Sequence, residues 1–164
     1  MELDGKIFEL PKYVKSFLVA FVLVLSVGYF TGIQFVRQTD SDQPAGIEEN
    51  YLGNEDIEEV SVMKFKKSPR EMLTILHTHI LSLSFVFFFM SALLALTKLP
   101  KKLKSFLMVE PFISIILTFG GIYLLWEGVL WMKWIVMLSG VLMTLVFVVS
   151  ALILLSQLLR PKPE

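Results

Sequence analysis

The stretch that decides the fold runs from residue 68 to residue 97 and reads SPREMLTILHTHILSLSFVFFFMSALLALT. Ser68, Pro69 and Glu71 form the pattern of a capping box with proline at the first helical position. The apolar run that follows is long enough to cross a bilayer, because a hydrocarbon core of about 30 Å needs about twenty helical residues. We therefore predict a membrane-spanning helix over about residues 70–97.

The composition of the whole chain also indicates a membrane protein. Its 164 residues are 55% hydrophobic and 18% charged, whereas soluble domains average about 45–50% apolar and about 25% charged residues. Fifteen basic residues balance fifteen acidic ones, so the net charge points to no nucleic-acid partner. The chain has no cysteine, which excludes disulfides, thiolate metal sites and iron–sulfur clusters.

Three further apolar stretches have the length of a membrane span, at about residues 16–36, 107–129 and 133–159. Pro111 is expected to open the third span, because proline is tolerated in the first helical turn. Together the four stretches predict an all-α integral membrane protein, an antiparallel up-and-down bundle of four transmembrane helices. We expect one domain over residues 16–164, preceded by a short cytoplasmic segment at residues 1–15.

The charges that flank the spans predict the orientation of the protein. Four lysines lie within residues 98–104, between the second and third spans, and short loops rich in lysine stay in the cytoplasm. Both termini are then cytoplasmic, and the chain is expected in the cell (inner) membrane as a multi-pass protein in contact with the lipid bilayer. Trp126, Trp131 and Trp134 fit the opposite surface, since tryptophan prefers the membrane interface.

The connection over residues 37–69 is acidic and has no stretch long enough to span a membrane. We predict an exposed external loop, solvated or lying on a partner, in which residues 60–67 alternate as in a short strand. Its carboxylates, among them Glu48, Glu49 and Glu55, are oxygen ligands of the kind that Ca²⁺ takes. Their spacing does not match an EF-hand loop.

Polar side chains inside a membrane are costly, so their positions are informative. At 100° per residue, Thr74, His77, Ser84 and Ser91 share one face of the second span, and we expect this stripe to face the bundle interior. His79 falls on a different face. The third span has a stripe of its own, in which Glu110, Ser114, Thr118 and Gly121 recur at helical spacing.

Two carboxylates lie at the ends of the third span. Glu127, at the outer end, is within geometric reach of His77 or His79, and a carboxylate partner favours a protonated imidazole. Glu110, at the inner end, has the lysines of residues 98–104 as available partners. We interpret both as residues of the membrane boundary and expect no charged residue in the middle of a span.

Four interpretations of His77 and His79 stay open, and the cofactor is unknown. They are haem b ligation, which would need a second chain; copper or zinc binding with methionine co-ligands; proton or quinone handling together with Glu127; and hydrogen bonding between helices without a ligand. The phosphate-binding, metalloprotease and nucleophile-elbow motifs are absent from the sequence, so nothing in it indicates a hydrolase or a kinase.

We expect first a non-catalytic accessory or structural subunit of a membrane complex. It would assemble as a homo-oligomer or with other membrane-protein subunits, through the acidic loop or the G-x-x-x-G pair of Gly28 and Gly32. The alternative is a haem- or metal-binding redox or quinone-handling component that uses His77 and His79. A third hypothesis is a small oligomeric transporter or channel.

Overall fold

The computed structural model describes residues 3–55 and 62–161, and the regular structure in these ranges is entirely helical. A 3₁₀ helix at Lys6–Glu9 is followed by α1 (Lys12–Gln38), α2 (Pro44–Leu52), α3 (Pro69–Ala95), α4 (Lys101–Trp126) and α5 (Met132–Leu158). Four of these helices, α1, α3, α4 and α5, are long and apolar enough to cross a membrane. These four run up, down, up and down, which confirms the predicted antiparallel bundle of four transmembrane helices.

The start of α3 agrees with its sequence pattern in atomic detail. The Ser68 hydroxyl accepts a hydrogen bond from the Glu71 backbone N–H at 3.3 Å, and the Glu71 carboxylate accepts one from the Ser68 N–H at 2.7 Å. Each bond satisfies a backbone donor that the first turn of a helix would otherwise leave free. The predicted capping box is therefore confirmed.

The start of α4 differs most from the prediction, since the helix begins at Lys101 rather than near residue 107, and Pro111 lies inside it. The expectation that Pro111 opens the span was wrong. A proline is tolerated within a membrane helix where neighbouring helices bind the carbonyls around it. Here the Ser91 hydroxyl of α3 donates to the Met108 carbonyl at 3.1 Å.

The closest packing joins α3, α4 and α5, and α1 lies to one side. In the most apolar 18-residue stretch of α4, 50% is buried inside the protein, compared with 6% in the corresponding stretch of α1. The principal contact of α1 is with α5, where Tyr29 stacks on Phe147 with 3.9 Å between ring centroids. Tyr29 also meets Phe87 of α3 edge to face. The bundle is thus a three-helix core with α1 attached along one side.

The N-terminal residues close the end of the bundle that lies at the lysine-rich link. We call this the inner end, after the predicted orientation, and the opposite end the outer end. Ile7 is fully buried, and its backbone N–H donates to the Leu96 carbonyl at 3.0 Å. The Lys104 ammonium donates to the Thr97 carbonyl and to Asp4, both at 2.6 Å. Its hydrogen bond with Asp4 holds the pKa of that carboxyl below its ordinary value. Residues 3–10 of the predicted N-terminal segment therefore pack against the inner end of the bundle.

A side-chain clasp joins the inner ends of α3 and α5. The Gln157 amide of α5 accepts a hydrogen bond from the Lys98 N–H at 2.9 Å and donates one to the Lys98 carbonyl at 3.1 Å. A single buried side chain thus satisfies both polar groups of one peptide residue beyond the end of α3. We call this pair of bonds the Gln157 clasp.

The acidic connection folds over the outer end of the bundle instead of remaining an open loop. It contains α2, which buries Ile47 and contacts α4 and α5. Lys133 of α5 forms an ion pair with Glu48 of α2, and the Trp126 indole N–H donates to the Lys67 carbonyl at 2.7 Å. The predicted loop over residues 37–69 was therefore wrong for residues 44–52, because an apolar anchor and an ion pair give this helix a docking face.

Asn54 organises the return of the chain from α2 towards α3. Its buried side chain accepts a hydrogen bond from the Lys64 N–H at 2.7 Å and donates one to the Val62 carbonyl at 3.1 Å. Nearby, burial raises the pKa of Tyr51 to about 12. The strand predicted over residues 60–67 is not formed by residues 62–67, and residues 60 and 61 lie outside the described ranges.

We call α2, which covers the outer end of the bundle, the outer cap. Replacement of Gly46 by alanine tests its packing. A Cβ atom at Gly46 would lie 1.9 Å from the backbone carbonyl oxygen of Asp40, whereas one at Gly140 of α5 meets nothing within 4 Å. We expect Gly46→Ala to lower the free energy of unfolding by about 1–3 kcal/mol, the usual cost of overpacking. Denaturant unfolding in mild detergent, followed by tryptophan fluorescence, measures it. Gly140→Ala is the control, and equal stability of the two variants would contradict the packing of the cap.

The orientation of the bundle is a separate prediction that cysteine labelling tests. Because the chain has no cysteine, Ala45→Cys in α2 and Lys102→Cys in the first turn of α4 each introduce one exposed thiol. In intact cells a membrane-impermeant maleimide should label position 45 and leave position 102 unlabelled until the membrane is opened. Labelling in the reverse order would show that the lysine-rich link is external.

Candidate functional site

The predicted polar stripe of α3 does not face the bundle interior along its length. Thr74 and His77 are exposed, Ser84 is half-buried and only Ser91 is buried. The inward face of α3 is instead the apolar one, with Met72, Phe87, Met90 and Leu94 buried along it. The outer part of the stripe lies about 100° or more around the helix from that face. The expectation was wrong for Thr74 and His77 because apolar side chains occupy the packed face.

His77 lies in an open groove of about 580 Å³ on the surface of α3, lined also by Arg70, Leu73 and Thr74. The Thr74 hydroxyl donates back to the Arg70 carbonyl of its own helix at 2.8 Å. The groove is formed by side chains of one helix, so it holds His77 at the periphery of the bundle rather than at its centre.

His79 is exposed like His77, but unlike His77 it contacts a second helix within the described ranges. Its Nδ1 atom lies 2.8 Å from the Ile75 carbonyl of the preceding turn. Its ring stacks on Phe119 of α4, with 5.3 Å between ring centroids. An aromatic contact of this kind adds about 0.5–1.5 kcal/mol to the burial of the rings. The arrangement fits the interpretation of a histidine that joins two helices.

Within the described ranges, the structure brings no further metal-ligating side chains to the two histidines. In the described ranges, three or more His, Cys, Asp or Glu side chains are nowhere grouped closely enough to hold a metal ion. His77 and His79 also face different surroundings, and one ring nitrogen of His79 is engaged by a backbone carbonyl. The geometry therefore gives the haem and copper hypotheses no support.

Glu127 ends α4 as its C-cap residue and is exposed. Its carboxylate interacts with the Tyr123 hydroxyl one turn earlier on the same helix. In the described part of the chain it forms no ion pair with His77 or His79. The interpretation of Glu127 as a boundary residue agrees with this position.

Glu110 is in a different environment from the one expected at the inner boundary. It is only 6% exposed, and the Ser114 hydroxyl donates a hydrogen bond to its Oε1 atom. Its Oε2 atom is buried and has no hydrogen-bond partner in the described ranges, and Lys104 is bound elsewhere. Glu110 therefore lies inside the bundle, in the third turn of a helix that begins earlier than predicted, and without the lysine partner that the sequence made available. Its place at the membrane boundary stays a prediction.

The stripe predicted on the third span continues from Glu110 as a polar seam between α4 and α5. Thr118 and Ser139 are buried and lie 2.7 Å apart, hydroxyl to hydroxyl. One turn on, Gly121 lets Val136 approach so closely that a Cβ atom there would lie 2.8 Å from its Cγ2 atom. Small residues and shared hydroxyls are what membrane helices use to pack closely. We call Glu110, Ser114, Thr118 and Ser139 the polar seam.

Tyr29 and Thr144 extend the polar groups towards α1. The two hydroxyls lie 3.3 Å apart, and the Tyr29 phenol is close enough to the Glu110 carboxyl to interact with it electrostatically. Sequence analysis did not single out Tyr29, although a tyrosine in the middle of an apolar span is itself a signal of an interior contact.

These features define a small multi-pass helical membrane protein with a line of buried polar side chains between its helices. The chain belongs to the Aq_1264_TM family of transmembrane helical domains, whose sequence model matches residues 41–164. The matched region contains α2 to α5, and α1 lies outside it. No curated protein and no solved structure matches the chain.

Alanine substitutions distinguish the roles of the two histidines. His79→Ala removes the stacking on Phe119 and should lower the free energy of unfolding by about 0.5–1.5 kcal/mol. His77→Ala removes an exposed side chain and should change it by at most about 0.5 kcal/mol. Denaturant unfolding of both variants in the same detergent measures the difference. A larger loss in His77→Ala would show that the groove of α3 is covered by a partner.

Proposed function

We propose that this protein is a non-catalytic subunit of a membrane assembly and that α1 joins it to a second copy of the same chain. The proposal makes the protein a structural component rather than an enzyme. The helices α3 to α5 supply its fold, and α1 supplies its outward contact.

The observation that carries the proposal is the difference in packing between α1 and the other spans. Only 6% of the most apolar window of α1 is buried, against 22% for α3, 50% for α4 and 39% for α5. The family match also begins at residue 41, so the attached helix is not part of the matched domain. A helix that contributes little to the packing of its own bundle has its faces available for another chain.

One exposed face of α1 has the surface that close helix packing needs. Gly28 and Gly32 both lie on it, and a Cβ atom built at either position meets nothing within 4 Å. They lie about 60–100° around the helix from Tyr29, which faces α5. The Thr31 hydroxyl beside them is bound to the Gly28 carbonyl at 2.7 Å. Two helices can approach closely where glycines recur at this spacing.

A second copy is the partner that needs the fewest assumptions. Most oligomers are built from identical chains with twofold symmetry, in which the same surface patch of each subunit meets its counterpart. A glycine pair on one helix face is complementary to itself in this way, because each helix offers the shallow surface that the other requires. Neither glycine is used inside the bundle, so the contact would leave the fold unchanged.

Substitution of both glycines tests the proposal. We expect the Gly28→Leu/Gly32→Leu variant to fold and to run as a monomer in light scattering coupled to size-exclusion chromatography in mild detergent. The unaltered chain should run as a dimer. Gly120→Leu is the matched control, because Gly120 of α4 is also exposed and open, and this variant should remain a dimer.

Disulfide cross-linking in native membranes gives the second measurement. Because the chain has no cysteine, Gly28→Cys should yield a cross-linked dimer on oxidation, and Leu152→Cys on the exposed face of α5 should not. A monomeric unaltered chain in light scattering, together with the absence of a cross-linked dimer from Gly28→Cys, would contradict the proposal. Cross-linking of Gly28→Cys to a different membrane protein would contradict the second copy as the partner.

A further inference from the structure

Glu110 is the tenth residue of α4, which has 26 residues and begins at Lys101. At 1.5 Å per residue, a helix of this length exceeds a hydrocarbon core of about 30 Å by about 9 Å. With α4 centred in the membrane, the excess is divided equally between its ends, and Glu110 lies about 9 Å inside the inner boundary of the hydrocarbon layer. An ionisable side chain at such a depth is rare, and where one occurs it usually has a function.

The surroundings of Glu110 provide no cation to balance a negative charge. The described residues hold five ion pairs, and Glu110 takes part in none of them. Lys104, two turns earlier on α4, is bound to Asp4 and to the Thr97 carbonyl. An ionised carboxylate taken out of water without a partner costs several kcal/mol, whereas the neutral acid avoids most of that cost.

The elements packed around Glu110 contain few titratable groups. The register of α4 and α5, set by the contacts of Thr118 with Ser139 and of Gly121 with Val136, places Phe147 opposite Glu110. On α3 and α5 the ionisable residues lie in the outer halves of the helices. From α1 the titratable neighbour is Tyr29, which interacts with Glu110 electrostatically. Glu110 is therefore the acidic group of this part of the bundle.

The hydrogen bonds of Glu110 fit a carboxylic acid. The Ser114 hydroxyl donates to Oε1, so Oε1 accepts a hydrogen bond as the carbonyl oxygen of an acid does. Oε2 has no hydrogen-bond partner in the described ranges and is the oxygen that we expect to carry the acidic proton. Pro111 has no N–H and cannot bond to the Leu107 carbonyl one turn before it, which leaves an acceptor on the adjacent turn. Ser150, whose buried hydroxyl also has no partner in the described ranges, lies opposite Leu107 in the same register.

We infer that Glu110 is a reversible proton-binding site in the membrane interior, with the proton carried on Oε2 and the Ser114 hydroxyl holding Oε1. A metal cation is a poorer occupant, because hard cations take about six or more oxygen ligands. Ser114 supplies the single hydroxyl bonded to this carboxyl in the described part of the chain. The site belongs to the core of α3 to α5 and does not depend on association through α1.

Infrared spectroscopy of the protein in lipid nanodiscs tests the inference. At neutral pH the difference between the unaltered chain and Glu110→Gln should contain one carbonyl band of a carboxylic acid, which Glu127→Gln does not remove. Ser114→Ala should move this band to higher frequency, because the carbonyl oxygen loses its donor. On alkaline titration the band should be replaced reversibly by carboxylate bands while the helical amide band is unchanged.

Three results would overturn the inference. The first is a difference spectrum that contains carboxylate bands alone at neutral pH. The second is a carboxylic-acid band that Ser114→Ala leaves in place. The third is a band that disappears only when the helical amide band is lost, since the proton would then not exchange in the folded state. The band should persist in the monomeric Gly28→Leu/Gly32→Leu variant, so the result does not depend on the proposed assembly.

Discussion

The packing of α4 between α3 and α5 is the constraint on which the bundle depends. In lipid the polar groups of a helix must find partners within the protein, since no water is present to bind them. Helix α4 carries Glu110, Ser114 and Thr118 into the membrane, and its proline interrupts the helical hydrogen bonds. Ser91 of α3 and Ser139 of α5 supply two of the partners. The contact at Gly121 brings α5 close enough for this to occur.

Short segments hold the core at both ends. At the inner end, the 3₁₀ helix and Lys104 bind the last carbonyls of α3, and the Gln157 clasp ties α5 to the same link. At the outer end, α2 and Trp126 connect the start of α3 to the ends of α4 and α5. Among the described residues, each of these segments buries one aliphatic side chain, Ile7 or Ile47, and is also held by directed hydrogen bonds.

The sequence was sufficient for the membrane class, the number of spans and the start of α3, because these rest on local signals. Length and hydropathy identify a span, and a capping box identifies its first turn. It was insufficient for the start of α4, where Pro111 resembled a helix start. The difference of six residues places Glu110 about 9 Å further from the start of its helix than predicted. The docking of α2 depends on Ile47 reaching other helices, and the direction of the α3 stripe depends on which face is packed. No local sequence pattern indicates the docking of α2 or the direction of the α3 stripe.

The helix α1 is held to the bundle by fewer contacts than join α4 to α3 and α5, and Tyr29 is one of its points of attachment. The helices α3 to α5 are tied to one another at both ends. The contacts of α1 include the stacked rings of Tyr29 and Phe147 and an edge-to-face contact of Phe21 with Phe89 of α3. A lateral displacement of α1 would withdraw Tyr29 from the neighbourhood of Glu110. A chain that binds the outer face of α1 without displacing it therefore leaves the surroundings of Glu110 unchanged, whereas one that displaces the helix changes them.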